Sequence, residues 1–138
     1  MSKPIPERYR NLRTFAFGDS PALADELIEL VIKGIKTATC STEDEPNTST
    51  PGERWVVVDG RGEARCVIES IDVTYRRFNE VDAAFAYYEG EGDRSLAYWR
   101  RAHQAYFGRL GRYSDDMMLM CERFRLVEVF GDVSRQDP

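Results

Sequence analysis

The sequence has few of the residues that build disulfide frameworks or metal centres. It contains three cysteines and one histidine among 138 residues. Cys40, Cys66 and Cys121 are widely spaced, and no C-x-x-C pair occurs, so we expect reduced core thiols and no metal site. No segment approaches the roughly 20 apolar residues that span a bilayer, and the chain does not start with the apolar stretch of a signal peptide. These absences predict a soluble, cytoplasmic protein that uses no cofactor and has no membrane partner.

The sequence also lacks an excess of basic residues. Its 19 Lys and Arg stand against 24 Asp and Glu, which gives a formal net charge of −5 at pH 7. Tight binding to duplex nucleic acid normally uses a broad cationic surface that displaces counterions, so any contact with nucleic acid should be local. The length and the 42% of hydrophobic residues predict a single domain over 1–138, with a core over about 14–130.

Segments with strand character alternate with segments of helical spacing. Strands are predicted over 14–17, 35–41, 54–58, 64–68 with an extension to about Tyr75, and 117–130, with a polar loop over 42–52. Helices are predicted from Pro21 to Gly34 with Ser20 as cap, from Asn79 as cap through Tyr88, and from Ser95 as cap through Phe107. The last of these helices should place one aromatic face on the sheet.

Two segments resemble the signature of the ASCH family. The run Gly34-Ile35-Lys36-Thr37-Ala38-Thr39 is similar to its G-x-K-x-x-T/S element. The run Glu89-Gly90-Glu91-Gly92-Asp93, followed by Ser95, Leu96, Trp99 and His103, resembles the E-G-x-G-D…S-L…W…H stretch of the longer, bacterial ASCH branch. With the closing Cys121-Glu122-Arg123-Phe124, the resemblance covers about Phe15 to Phe130. It implies an α+β fold, a PUA-like β-barrel with flanking helices that roof a cleft.

The resemblance implies two kinds of activity. Small ASCH proteins act as amidohydrolases on N4-acylated cytidines such as N4-acetylcytidine, and they use a lysine, a threonine and a glutamate. Other members have been connected with binding or cleavage of single-stranded RNA. By motif, the lysine and threonine fall on Lys36 and Thr39, and the glutamate falls on Glu89 or Glu91. Thr37, Ser41, Arg94 and His103 are the candidate substrate-binding residues.

Hydrolysis of an amide requires an activated nucleophile, a proton for the leaving amine and stabilisation of the oxyanion. Thr39 can supply the nucleophile, and Lys36 can act as the base if desolvation lowers its pKa to roughly 7 to 8. Residues three apart on a regular strand point to opposite faces. Lys36 and Thr39 can therefore share a site only if the backbone is irregular at Thr37-Ala38.

Each candidate also has a structural interpretation. An isolated lysine is usually solvated, threonine is common in strands, and Glu89 and Glu91 resemble a solvated acidic loop. A lone histidine on an apolar helix face, as at His103, is more often packed and hydrogen-bonded than reactive. The arginines from Arg94 to Arg112 can form a solvated face or a modest phosphate contact.

Two hypotheses of different class follow. The first is an amidohydrolase that takes a small nucleoside or nucleobase substrate. The second is a binding module for single-stranded RNA or a modified base, with or without ribonuclease activity. A buried Lys36 close to a hydroxyl favours the enzyme, whereas a groove of arginines leading to Lys36 favours the RNA binder. The oligomeric state is left open.

Overall fold

The computed structural model describes residues 5–42 and 49–130, which contain a five-stranded sheet and three α-helices. The strands are β1 (Arg13–Phe15), β2 (Ala38–Thr42), β3 (Arg54–Val58), β4 (Ala64–Arg77) and β5 (Met118–Val129). The helices are α1 (Pro21–Ile32), α2 (Ala83–Glu89) and α3 (Leu96–Arg109), with short 3-10 helices at Glu7–Tyr9 and Phe78–Glu80. None of these helices combines the length and the apolar character needed to cross a membrane.

The strands lie in the order β1-β3-β4-β5-β2, and the sheet curls into a half-barrel. β1 runs parallel to β3, whereas the other neighbours are antiparallel. Shifts of register between β4 and β5, at Val67/Ile68 and at Ser70/Asp72, are bulges of the kind that bend a strand. The predicted α+β class, a curled sheet with flanking helices, is confirmed. Within the described residues β1 and β2 are edge strands, so the curl stops short of closure.

Side-chain caps fix the helix starts. The hydroxyl of Ser20 accepts from the Leu23 amide at the start of α1, and that of Ser95 accepts from the Tyr98 amide at the start of α3, both as predicted. The predicted cap of α2, Asn79, is wrong. Asn79 lies inside the 3-10 turn, and the carboxylate of Asp82 accepts from the Phe85 amide at 2.9 Å instead.

The strand predicted over 35–41 begins later, at Ala38. The amides of Ile35 and Lys36 donate to the carbonyl of Leu30 in α1, and the amide of Thr37 donates to that of Tyr88 in α2. The amides of these three residues are therefore bound by the helices, and only the Thr37 carbonyl accepts from the sheet, from the Phe124 amide at 3.0 Å. Most of the loop predicted over 42–52 lies outside the described residues, and Thr42 is the last residue of β2.

The helices cover the two faces of the sheet. α1 packs Leu27, Ile28 and Val31 with Trp55 and Phe124. The second core cluster joins α2 and α3 to the opposite face of β5, with the members Phe85, Trp99, Phe107, Leu119 and Cys121. All three cysteines are free thiols, and only Cys40 is partly exposed. A cleft opens where β2 passes between α1 and α3.

Candidate active site

The cleft has a volume of about 240 Å³ and gathers residues that are far apart in the sequence. Lys36, Thr39 and Cys40 come from β2 and its approach, Glu89 and Glu91 come from the end of α2, and His103 comes from α3. Both segments of the family signature therefore meet in one place. Since the separation in sequence is more than 50 residues, only the fold brings them together.

Lys36 is a buried cation whose hydrogen-bonding capacity is fully used. Its side chain is 1% exposed. The ammonium Nζ lies 2.7 Å from Glu89 Oε1, 2.8 Å from Glu91 Oε2 and 2.9 Å from the carbonyl oxygen of Ala38. An ammonium group has three N–H donors, and each of them has an acceptor here. The two glutamates that the sequence left as alternatives thus bind the same lysine.

Gly90 makes this double contact possible. It ends α2 with φ 76°, a left-handed conformation that glycine adopts without steric cost. A Cβ atom at Gly90 would lie 2.6 Å from the carbonyl oxygen of Ile35. The chain therefore turns tightly against the residue before Lys36. That turn directs Glu89, the last residue of α2, and Glu91 toward the same ammonium group.

Glu89 is also held from its other side by α3. The indole of Trp99 donates to Glu89 Oε2 at 3.1 Å, and His103 Nε2 lies 3.6 Å from the same oxygen. The His103 ring stacks on Trp99 with centroids 4.3 Å apart, and its Nδ1 lies 2.9 Å from the Trp99 carbonyl oxygen. A carbonyl oxygen only accepts, so Nδ1 carries a hydrogen and donates it. Nε2 is left facing Glu89.

The pKa values of the buried pair move in the directions that keep both groups charged. Burial on its own lowers the pKa of Lys36, but the charges of Glu89 and Glu91 outweigh it and raise that pKa above its usual value. Burial likewise opposes ionisation of Glu89, yet Lys36 holds the pKa of that carboxyl below its usual value. The expectation that desolvation lowers the pKa of Lys36 to roughly 7 to 8 is therefore wrong, because two carboxylates accompany it into the interior.

Thr39 can share a site with Lys36 only if the backbone between them is irregular, and the structure meets this condition. Lys36 and Thr37 precede β2, so the segment between Lys36 and Thr39 is not a regular strand. Both side chains line the cleft. Among the described contacts of the Lys36 ammonium, the Thr39 hydroxyl is not a partner. Thr39 is placed beside the ion pair but not within it.

The remaining candidate residues have different positions. His103 lines the cleft, and Ser41 lines an adjoining cavity. The Thr37 hydroxyl donates to the Tyr88 carbonyl at 3.4 Å and does not line the cleft. Arg94 lies outside the cleft with φ 67°, where its guanidinium donates to the Tyr87 carbonyl and sits 3.7 Å from the centre of the Tyr87 ring.

The arginines do not form the groove that would favour an RNA binder. Of the described arginines from Arg94 to Arg112, Arg109 is the one that lines the cleft. Its guanidinium is paired with Asp19, at 3.0 Å from Oδ2 and 3.1 Å from Oδ1. Its charge is thus largely compensated within the protein.

Three side chains have the spacing of a metal site. Ligand atoms of Cys40, Glu89 and His103 lie within 4.8 Å of one another. The Lys36 ammonium already occupies the Glu89 carboxylate, and a metal cation would be repelled by it. Burial and the nearby Glu89 charge raise the pKa of the Cys40 thiol well above its usual value, which disfavours the thiolate that a metal needs. The donor set suits the lysine better than an ion.

Sequence reasoning missed two features of this region. Cys40 lines the cleft, although its sequence context indicates a core thiol. Trp99 appears in the family-like stretch, but its hydrogen bond to Glu89 depends on how α3 crosses the end of α2. No local pattern in the sequence carries that information.

Known proteins show which family has this arrangement of elements. The family model described as ASCH domain matches residues 13–128. The solved structure of a protein from Enterococcus faecalis V583, assigned to the family DUF984, is 28% identical with a TM-score of 0.78 and covers 91% of this chain and 84% of that one. An ASCH domain from Lactobacillus crispatus JV V101 is 31% identical with a TM-score of 0.76 and covers 89% of this chain and 86% of that one.

A more distant solved structure, described as a hypothetical protein, shares the fold alone. It is 14% identical with a TM-score of 0.59 and covers 83% of this chain and 99% of that one. No curated protein matches the chain.

Proposed function

The chain belongs to the ASCH domain family, and from that premise we propose that it is an amidohydrolase for N4-acylated cytosine nucleosides or a similar small amide. The observation that carries the proposal is the buried Lys36 ammonium, held by Glu89 and Glu91 in a cleft that also presents Thr39. The substrate class follows from the resemblance of these residues to those of small ASCH amidohydrolases. The proposal gives each of the four residues a chemical role.

Lys36 acts as a fixed positive charge and not as the base. When a nucleophile adds to the acyl carbon, negative charge develops on the carbonyl oxygen, and Lys36 stabilises that oxyanion with the N–H donor that Glu91 releases as it takes up a proton. Thr39 Oγ1 is the nucleophile, and its proton passes to Glu91, whose side chain is 17% exposed and therefore the more accessible carboxylate. Glu91 then protonates the departing cytosine N4 atom. Water hydrolyses the threonine ester, and the net products are a carboxylic acid and the cytosine nucleoside.

Glu89 holds the lysine in place. Its two oxygens are occupied by Lys36 and by the Trp99 indole, so it is a positioning residue and not a proton carrier. Any substitution at Glu89 should act through Lys36. Removal of its charge also leaves the lysine with one carboxylate instead of two.

The charges of the cleft favour a small neutral substrate over an RNA strand. Three carboxylates, Glu26, Glu89 and Glu91, line the cleft together with two cations, Lys36 and Arg109, and both cations are already paired with carboxylates. A phosphate group would therefore find no unpaired lysine or arginine among the described residues of this lining. Binding of single-stranded RNA or of a modified base without turnover is therefore the weaker alternative.

The experiment is the release of cytidine from N4-acetylcytidine, followed by chromatography for the wild type and three variants. Thr39→Val and Lys36→Met should each lower kcat by at least about 100-fold, since one removes the nucleophile and the other the oxyanion charge. Lys33→Met removes an exposed lysine three residues away and should keep full activity. Thr39→Val leaves the ion pair intact, so it carries the test if Lys36→Met does not fold. Wild-type rates in Thr39→Val and Lys36→Met would refute the proposal.

A further inference from the structure

A second lobe of about 180 Å³ adjoins the cleft and has no role in the reaction described above. It lies at the opening of the half-barrel, because Phe15 of β1 and Ser41 of β2 line it and these are the two edge strands. The lobe and the cleft form one continuous space, since both are lined by Phe17, Gly18, Thr39, Cys40 and Tyr106. The proposed nucleophile, Thr39, therefore stands at the junction of two cavities.

Aromatic and other apolar side chains stand in the wall of the second lobe. Phe15 contacts Phe17 and Trp55 edge to face, with ring centroids 4.8 Å and 5.4 Å apart. Met120 of β5 lines the lobe as well. Side chains of this kind form most of the surface of small-molecule sites and can cover the carbon skeleton of a ligand.

Two polar side chains line this lobe and not the first, and the protein already accounts for both. Glu122 is 5% exposed, and the Ser70 and Ser49 hydroxyls form hydrogen bonds with its carboxylate. The Ser41 Oγ atom has less than 1 Å² of accessible surface, so a group in the lobe does not reach it. The described lining therefore suits an uncharged group.

The reaction gives a direction to each group bonded to the acyl carbon. The carbonyl oxygen must lie toward Lys36 and the departing N4 atom toward Glu91, and both residues line the first lobe and not the second. Thr39 lines both lobes. The remaining substituent of the acyl carbon, its carbon chain, can therefore extend past Thr39 into the second lobe while the cytosine stays in the first.

The second lobe is larger than an acetyl group requires. A methyl group is about as large as a water molecule, which takes up roughly 30 Å³ in the liquid. The methyl of an acetyl substrate would leave most of the 180 Å³ lobe unfilled. Each further methylene that enters the lobe removes apolar surface from water and gains contacts with the aromatic wall.

We propose that the second lobe is an acyl subsite, which makes this protein select unbranched, uncharged N4-acyl groups of about four to six carbons over acetyl. The inference rests on the proposed function and deepens it, because it names the class of acyl group that the hydrolase removes. The carboxylic acid released from Thr39 would then be a short fatty acid.

The first experiment measures kcat/KM of the wild type for N4-acetylcytidine, N4-butanoylcytidine and N4-hexanoylcytidine. Each methylene that enters the lobe should raise kcat/KM about fourfold, so the butanoyl substrate should exceed the acetyl substrate by at least about tenfold. Equal values across the series, or a decline with chain length, would overturn the acyl subsite. Hydrolysis of the acetyl substrate in that case would leave the proposed function intact.

Variants test whether the second lobe causes the preference. Ser41→Phe adds a ring at a residue that lines this lobe and not the first, and should bring the ratio of hexanoyl to acetyl kcat/KM down to about one. Thr14→Phe adds the same ring at an exposed position of the other edge strand and should keep the wild-type ratio. A wild-type ratio in folded Ser41→Phe, with or without a uniform loss of rate, would overturn the subsite.

A second variant carries the test if Ser41→Phe does not fold. Met120→Ala widens the same lobe and should raise the ratio of hexanoyl to butanoyl kcat/KM above that of the wild type. An unchanged ratio would contradict the acyl subsite.

A different result separates this inference from the proposed function. If the wild type hydrolyses none of the three amides, the proposed function fails, and calorimetric binding of the same compounds decides whether the lobe accepts an acyl chain. Affinity that rises with chain length in the wild type, and does not rise in Ser41→Phe, supports the subsite. Equal or absent binding overturns it.

Discussion

The ammonium of Lys36 occupies a position that a core side chain would normally fill. A buried ion pair avoids destabilising a protein only when further hydrogen bonds compensate the lost hydration. For Lys36, the Ala38 carbonyl and Glu91 accept these hydrogen bonds. Such a pair can be replaced by apolar groups with little loss of stability, so its retention suggests a use beyond stability. The use proposed above is a positive charge at a fixed point in the cleft.

Loss of the lysine alone should destabilise the protein strongly. Lys36→Met leaves the buried Glu89 carboxylate without its cation, and the free energy of unfolding should fall by about 3–5 kcal/mol. The double variant Lys36→Met/Glu89→Gln removes both charges and should recover much of that loss. Urea denaturation followed by circular dichroism measures both values. Equal instability of the single and double variants would contradict the account.

Glu122 should show the opposite behaviour, because it is a buried carboxylate without a cation. Burial raises the pKa of the folded-state Glu122 carboxyl above its unfolded value. The protonated carboxyl therefore adds to the free energy of unfolding at low pH, and this stabilisation is lost as the pH rises through the folded pKa. Glu122→Gln should therefore be more stable than the wild type at pH 7, and the difference should vanish below about pH 4. Urea denaturation across pH 3.5–7.5 would reveal it, and a destabilised variant at pH 7 would argue against a carboxylate that is destabilised by burial.

At the scale of elements, the turn that ends α2 determines the site. Gly90 turns the chain against Ile35, so that Glu89 and Glu91 reach one lysine. The position combines a left-handed backbone with close packing. Gly62 has a similar φ of 80° in the β3–β4 hairpin, but a Cβ there would contact nothing within 4 Å.

These two glycines give a matched pair of variants. Gly62→Ala should cost about 1 kcal/mol, since only the backbone conformation is penalised. Gly90→Ala should cost clearly more and should also lower hydrolysis, because the Ile35 carbonyl must move and Lys36 follows it in the chain. Thermal or urea unfolding and the N4-acetylcytidine assay test both effects. Similar losses for the two variants would mean that the close approach at Gly90 is unimportant.

Local patterns predicted the elements well where local interactions define them. Ser20 and Ser95 cap their helices as expected, because a side-chain cap acts within a few residues. The late start of β2 could not be predicted, since the Thr37 amide is bound by Tyr88, 51 residues away. Likewise, motif resemblance singled out Lys36, Thr39, Glu89 and Glu91, which line one cleft, whereas the hydrogen bond from Trp99 to Glu89 depends on how α3 crosses the end of α2.

The pKa of Lys36 is a second property that depends on the fold and not on the local sequence. The sequence shows that a lysine enters an apolar region, which on its own lowers the pKa of a lysine. Only the fold shows that Glu89 and Glu91 enter with it and reverse the sign of the shift. The sequence thus predicted several of the residues that meet in the cleft, but it did not predict their electrostatics.

At the scale of the whole molecule, the net charge of −5 has the same sign as the excess of carboxylates in the cleft. Both disfavour a polyanion and favour an uncharged ligand. Affinity for a neutral nucleoside should change little with salt, whereas phosphate contacts would make binding fall steeply as salt increases.

In the most direct test, one preparation of the wild-type protein is incubated with N4-acetylcytidine and, in parallel, with a single-stranded RNA. Both incubations are run at about 50 and 200 mM salt, because phosphate contacts weaken markedly over this interval. The account predicts release of cytidine at both salt concentrations, with loss of activity in Thr39→Val, and an RNA that is neither bound nor cleaved. An untouched nucleoside together with RNA binding or cleavage that declines with salt would contradict it, and would identify the cleft as a site for a nucleic-acid strand.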